Sequence, residues 1–169
     1  VSRIVVLLVL ALMTLSACGA EPENDTATPG EPEAAAGPVA GPTSVLPGDI
    51  ATLQVAESPE VGPVVADGQG YTLYLTTEDS TTPPKPTCLE PECTLTWPPL
   101  LARGGQFEAT GVDRSLLGTV KRPDGLEQVT IAGHPVHRFV DDEQAGDATG
   151  HGTDGTWFAI SPKGEKAAR

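Results

Sequence analysis

The feature that most limits how this chain can fold is a pattern written twice. Gly70-Tyr71-Thr72-Leu73-Tyr74-Leu75-Thr76-Thr77-Glu78-Asp79 returns as Gly133-His134-Pro135-Val136-His137-Arg138-Phe139-Val140-Asp141-Asp142. Glycine opens both copies, an apolar residue stands fourth, a ring stands fifth, and an acidic pair closes each. A loop and then a tryptophan follow, Trp97 after the first copy and Trp157 after the second. Two copies are too few for a solenoid. They suit two halves of one sheet sharing a core, each half too small to fold alone.

The sequence around them reads as β. No stretch holds apolar residues at i, i+3, i+4 and i+7 for long enough to make a helix. Short β-rich runs lie between Gly, Pro and Asp instead. Tyr71 to Thr77 is one, with Leu73 and Leu75 on one face and Tyr74 on the other. Gly118 to Lys121 and Glu127 to Ile131 form a hairpin through Arg122-Pro123-Asp124-Gly125, where proline second and glycine fourth suit a type I turn. Val136 to Val140 and Thr156 to Ile160 complete the set, Ala51 to Val55 and Val61 to Val65 add strands at the entrance, and Asp113 to Leu117 makes one helical turn. The expected fold is all-β: a small antiparallel barrel or sandwich in residues 49–169, built from two pseudo-repeats at 70–100 and 133–160.

A different kind of sequence precedes it. Arg3 and an unbroken apolar run from Ile4 to Met13 lead to Leu15-Ser16-Ala17-Cys18. Charge, apolar run and small residues in that order describe a secretory signal peptide over residues 1–17, and the run is shorter than the roughly 20 residues that span a bilayer. The four residues ending at Cys18 resemble the lipobox of bacterial lipoproteins. That resemblance implies a diacylglycerol on the Cys18 sulfur, and two acyl chains anchor stably where one does not. Residues 18–48 then read as a disordered linker. From Gly19 to Gly48 there are six prolines, five glycines and Glu21, Glu23, Asp25, Glu31 and Glu33, with no Lys, Arg or aromatic residue. Such a segment cannot bury enough apolar surface to offset its ordering entropy. As polyproline II it spans roughly 90 Å at about 3.1 Å per residue. The formal charge of −13 argues against nucleic acid as a partner.

The ordered series of motifs resembles a known family. Lipobox and acidic linker are followed by Gly-x-x-Leu-Tyr-Leu-x-x-x-Asp, a cysteine pair before Trp97-Pro98-Pro99-Leu100, Leu117-Gly118-Thr119 and Arg122-Pro123-Asp124-Gly125. Gly150-x-Gly152, Gly155-x-Trp157-Phe158 and Ser161-Pro162-x-Gly164 end the series. From about Gly68 to Gly164 it is similar to the bacterial "secreted repeat of unknown function" lipoproteins, which carry a Tyr-x-aromatic-x-x-Asp motif. The resemblance implies localisation and fold but no activity. This chain departs from the motif in both copies. The first is Tyr74-x-Thr76-x-x-Asp79, without the aromatic, and the second is His137-x-Phe139-x-x-Asp142, with histidine for tyrosine.

On a strand, positions i and i+2 share a face, so Tyr74 points with Thr76 and His137 with Phe139. Asp79 and Asp142 fall just past the strand ends, where a carboxylate accepts loop N–H groups or a tyrosine hydroxyl. The motif therefore reads as an aromatic anchor under a turn, or as part of a symmetric binding surface. With Cys18 assigned to lipid, Cys88 and Cys93 are an even pair in an oxidising compartment, which is most simply a disulfide. A redox pair or a soft-metal site are the alternatives. The acidic, glycine-rich loop 141–155 is the candidate metal site, through Asp142, Asp147 and Asp154 for Ca²⁺ or through His137 and His151 for Cu or Zn. There is no nucleophile elbow, zinc-protease motif or P-loop.

The expectation is thus a lipid-anchored protein on the extracytoplasmic face of a cell membrane. It acts as a non-catalytic binding or structural module of the envelope, without cofactor, toward an envelope partner the sequence does not identify. A metal-binding or redox accessory lipoprotein is the alternative.

Overall fold

The computed structural model describes residues 50–168. The signal peptide, Cys18 and the linker lie outside them. Strands run β1 Ala51–Ser58, β2 Gly62–Asp67, β3 Tyr74–Thr76, β4 Ser80–Thr81 and β5 Pro84–Lys85. After helix α1, Pro91–Thr96, come β6 Leu101–Ala102, β7 Phe107–Thr110, β8 Leu117–Lys121, β9 Glu127–Ile131, β10 His134–Pro135 and β11 Trp157–Ala159. The fold is mostly β, as expected. Its sheets remain small and open rather than closing into a barrel, in the orders β2-β1-β7, β10-β9-β6 with β8 beside β9, β11-β3 and β4-β5. One pairing, β1 with β7, is parallel.

The domain is two similar halves. Each begins with an antiparallel hairpin, β1–β2 in one and β8–β9 in the other. In the second hairpin Gly125 N–H donates to Arg122 C=O at 3.0 Å and Arg122 N–H to Leu126 C=O at 2.8 Å. That is the tight turn expected for Arg-Pro-Asp-Gly. A glycine with positive φ, Gly70 at 91° or Gly133 at 82°, then turns the chain into the motif strand. A side chain there would be strained, and its Cβ would meet the other half: Ala145 Cβ at 2.8 Å from Gly70, the Thr81 carbonyl at 2.5 Å from Gly133.

Each half completes itself with a strand from the other. Leu73 N–H donates to Val65 C=O, Val65 N–H to Ile160 C=O, and Ile160 N–H to Leu73 C=O, all at 2.9 Å. The same ring of three bonds joins Val136 to Val129, Val129 to Leu100, and Leu100 to Val136, at 2.9–3.0 Å. Ile160 follows Trp157 in the second half, and Leu100 follows Trp97 in the first. The tryptophan strands are therefore exchanged. At the centre, Tyr74 and His137 exchange both backbone bonds, at 2.8 and 3.0 Å.

The exchange explains where the sequence reading and the structure differ. Tyr74–Thr76 forms a ladder with Trp157–Ala159, whereas Val136–Val140, expected as a strand, makes only isolated bridges, from His137 to Tyr74 and to Pro99. Its partner segment is Trp97-Pro98-Pro99, and two prolines remove two ladder donors. Arg138 and Val140 still donate to Pro98 and Thr96, at 2.8 and 3.0 Å. The repeats are also longer than 70–100 and 133–160, because each hairpin belongs to its half. Helix α1 was not expected. It buries no residue, so it has no apolar period to read, and Pro91 opens it where a missing N–H costs nothing. Cys88 and Cys93 form a disulfide across its start, with Cα atoms 5.5 Å apart.

Two cores result. Val65, Leu73, Leu75, Leu100, Val129, Ile131, Val136 and Ile160 lie on one side of the central strands. Tyr74, Trp97, Trp157, Val64 and Ala159 lie on the other. Leu73 and Leu75 face the first core and Tyr74 the second, as period-two alternation requires. Because each half lacks its own third strand, fragments 50–104 and 105–168 should each be unfolded by circular dichroism, and mixing them should restore β structure. A cooperative melt from either fragment alone would contradict the exchange.

Candidate functional site

The motif residues meet around the second core. Trp97 and Trp157 stack face to face across the centre, with centroids 4.1 Å apart and planes within 2°. Phe139 lies on the outer face of Trp97 at 4.4 Å. Tyr74 turns its edge to Trp97 at 5.4 Å, and His137 does the same to Trp157 at 5.1 Å. Edge-to-face and offset contacts suit the ring quadrupoles and add about 0.5–1.5 kcal/mol each beyond burial. Gly150 allows this closeness, since a Cβ there would stand 2.8 Å from Trp97 and 2.9 Å from Phe139.

Each motif aspartate grips a threonine. Asp142 Oδ1 accepts from Thr149 N–H at 3.0 Å and from its hydroxyl at 2.6 Å. Asp79 Oδ1 accepts from Thr87 N–H and hydroxyl, both at 2.7 Å. The second oxygens differ. Asp142 Oδ2 accepts the Tyr74 hydroxyl at 2.7 Å, a bond from one half to the other. Asp79 Oδ2 is buried and accepts no hydrogen bond from the described residues. In the second copy the motif's tyrosine is His137, so no phenol is there to reach back to Asp79.

His137 is turned into a polar relay instead. Arg122 donates to Gln128 Oε1 at 2.8 Å, and Gln128 Nε2 lies 3.0 Å from His137 Nε2. His137 Nδ1 lies 3.0 Å from Trp97 C=O, a pure acceptor. Nδ1 therefore carries the proton and Nε2 accepts from Gln128, which fixes the neutral tautomer. Gln128 donates a further bond to Val136 C=O at 3.0 Å. Burial pushes the His137 pKa down to about 4, and the Arg122 charge adds to the effect. Burial raises both aspartates, against the threonine bonds, and raises the Tyr74 phenol well above its ordinary range, with the Asp142 charge adding.

The structure brings together Tyr74, Phe139, Asp142, His137 and both tryptophans, and places Thr76 in the ladder opposite Trp157. It does not gather the five candidate metal ligands. His137 and Asp142 are bonded as above, Asp147 Oδ2 accepts from Glu143 and Gln144 N–H, and His151 Nδ1 accepts from Ala159 N–H at 3.3 Å. Asp154 lies on an exposed turn. Among the described residues, no three of His, Cys, Asp and Glu come together as ligands. Sequence reasoning missed Thr87, Thr149, Gln128 and Arg122. An Asp…Thr pairing at similar distance in both copies was the available signal for the threonines.

Residues 118–161 match a family described as "Secreted repeat of unknown function". That span is one half of the domain, from β8 to the residue after Ile160. No curated protein and no solved structure matches the chain. No helix among the described residues is long and apolar enough to cross a membrane.

Tyr74→Phe should cost about 2–3 kcal/mol in urea unfolding, because it strands a buried carboxylate oxygen. An unchanged midpoint would remove the cross-half bond from the list of stabilising contacts. A second expectation concerns acid. An unfolded histidine protonates below pH 6.5 and folded His137 only near 4. The unfolded state thus binds more protons in that window, and His137 should remove about 2 kcal/mol of stability between pH 7 and pH 4.5. Asp79 and Asp142, raised by burial, act in the opposite sense. The difference between wild type and His137→Gln isolates the histidine, and equal pH profiles would contradict its buried neutral state.

Proposed function

We propose that this protein is a non-catalytic binding or structural module of the bacterial cell envelope. A diacylglycerol on Cys18 holds it to the extracytoplasmic face of a membrane, with the acidic linker as spacer. The observation that carries the non-catalytic reading is how the motif's polar atoms are used. Tyr74, Asp142, His137 and one oxygen of Asp79 are buried and hydrogen-bonded within the domain, the Tyr74–Asp142 and His137–Trp97 bonds running from one half to the other. A general acid or base must reach its substrate at hydrogen-bond distance, and these groups face protein. The match to a secreted repeat family supports an extracytoplasmic setting, and the charge of −13 disfavours nucleic acid.

The anchor is tested by phase partition. Expressed in a bacterium and extracted with a cloud-point detergent, the wild type should enter the detergent phase and Cys18→Ala the aqueous phase. If both partition alike, the lipid anchor is wrong.

A further inference from the structure

The strands that complete the two cores reach them across a single covalent connection. Residues 51–110, from β1 to β7, hold Val65 and Leu73 and give Leu100 to the ring around Val129. Residues 117–168, from β8 onward, hold Val129 and Val136 and give β11 and Ile160 to the first part. Between them run Gly111, Val112, Asp113, Arg114, Ser115 and Leu116. Each part supplies what the other lacks. The connection decides only whether both come from one chain.

That connection has the contacts of a hinge. Gly111, Asp113, Arg114 and Ser115 are exposed, and Val112 is its one buried side chain. Gly111 turns with φ at 80°, and a Cβ on it would stand 2.9 Å from Val55 Cγ2. Asp113 then caps one 3₁₀ turn by accepting from Ser115 N–H at 2.9 Å, and Leu116 C=O accepts from Ala132 N–H at 2.6 Å. Opening the hinge gives up one apolar side chain and a few turn bonds. It gives up neither ring of backbone bonds, nor the tryptophan stack, nor the Tyr74–Asp142 bond. Six extended residues span about 20 Å at roughly 3.3 Å each, enough to pass from one domain to another beside it.

We propose that this chain forms a strand-swapped dimer, in which residues 51–110 of one copy close with residues 117–168 of a second copy, and the reverse. Each domain of the dimer then stacks Trp97 of one chain on Trp157 of the other. Exchange of identical elements is a low-cost route to dimers, and a short, strained connection favours it. Concentration decides between the two forms. A short connection gives the two parts of one chain a mutual concentration in the roughly millimolar range. Dilute chains therefore close on themselves, and crowded chains exchange. The anchor proposed above confines copies to one plane and so crowds them, but the swap does not require it.

The test is refolding of residues 19–169, which include the whole described domain, at roughly 1 µM and roughly 1 mM, with mass read by light scattering. The dilute sample should be monomeric, and the concentrated one should contain a dimer that persists on dilution. Gly111→Ala should raise the ratio of dimer to monomer at least about fivefold, because positive φ strains the closed turn and not the extended one. A mixture of damaged chains identifies the interface. Leu73→Asp and Val129→Asp each put a charge on a fully buried core position, in different parts, and unfold their own chains. Refolded together, they should recover about half of the wild-type near-ultraviolet dichroism, since one domain in two assembles from undamaged parts. Leu73→Asp mixed with Val65→Asp should recover none, because both damage the same part. Monomer at both concentrations overturns the swap, as does a dimer that Gly111→Ala leaves unchanged. A mixture of Leu73→Asp and Val129→Asp that stays unfolded overturns it too. All these readings are made without lipid, so the swap and the anchor fail separately.

Discussion

Tyr74 and His137 exchange both of their backbone hydrogen bonds at the centre of the domain, and the architecture grows outward from that pair in duplicate. On either side lies a strand borrowed from the opposite half, then a ring of three backbone bonds, then a hairpin. Side chains follow the same plan. The ring at each central position points its edge at one of two stacked tryptophans, so the second core forms around the pair. Neither half buries a complete core by itself, and the shared centre lets a domain this small bury two.

The two halves are alike in backbone and unlike in chemistry. Tyr74 reaches Asp142, while the reciprocal bond to Asp79 has no donor because His137 is shorter and turned away. A buried acceptor without a partner costs about 1–3 kcal/mol. Arg122 lies close enough for its charge to lower the Asp79 pKa, which offsets part of that cost. The same guanidinium leads the relay that fixes His137 as a neutral ring. The second copy thus fills its central position with a polar arrangement different from that of the first, rather than with an apolar one.

Much of this was legible in the sequence, at the level where a local rule governs. The hairpin at Arg122–Gly125, the short turn after Asp113 and the alternation of Leu73, Tyr74 and Leu75 follow from turn chemistry and strand period. The aspartates were readable as acceptors for loop N–H groups or a tyrosine hydroxyl, and two cysteines in an oxidising setting as a disulfide. Pairing was not readable, because no local signal says that Ile160 completes the first half or that Leu100 completes the second. The polar relay was hidden for a similar reason. Arg122, Gln128 and His137 meet only once the β8–β9 hairpin lies against the motif strand. Helix α1, with no buried face, gave no periodicity to find.

The exchange of strands also orders events in time. The bond ring around Val65 closes only when Ile160 is present, and Ile160 is made long after Val65 and Leu73. Long-range pairing of this kind slows folding, because loop closure precedes any reward from the contact. A chain that emerges N-terminus first must therefore hold its leading hairpin and motif strand unfinished until nearly the whole domain is available. During that interval Leu73, Leu75 and Tyr74 expose apolar faces on both sides of an unpaired strand, the situation in which chaperones are most needed.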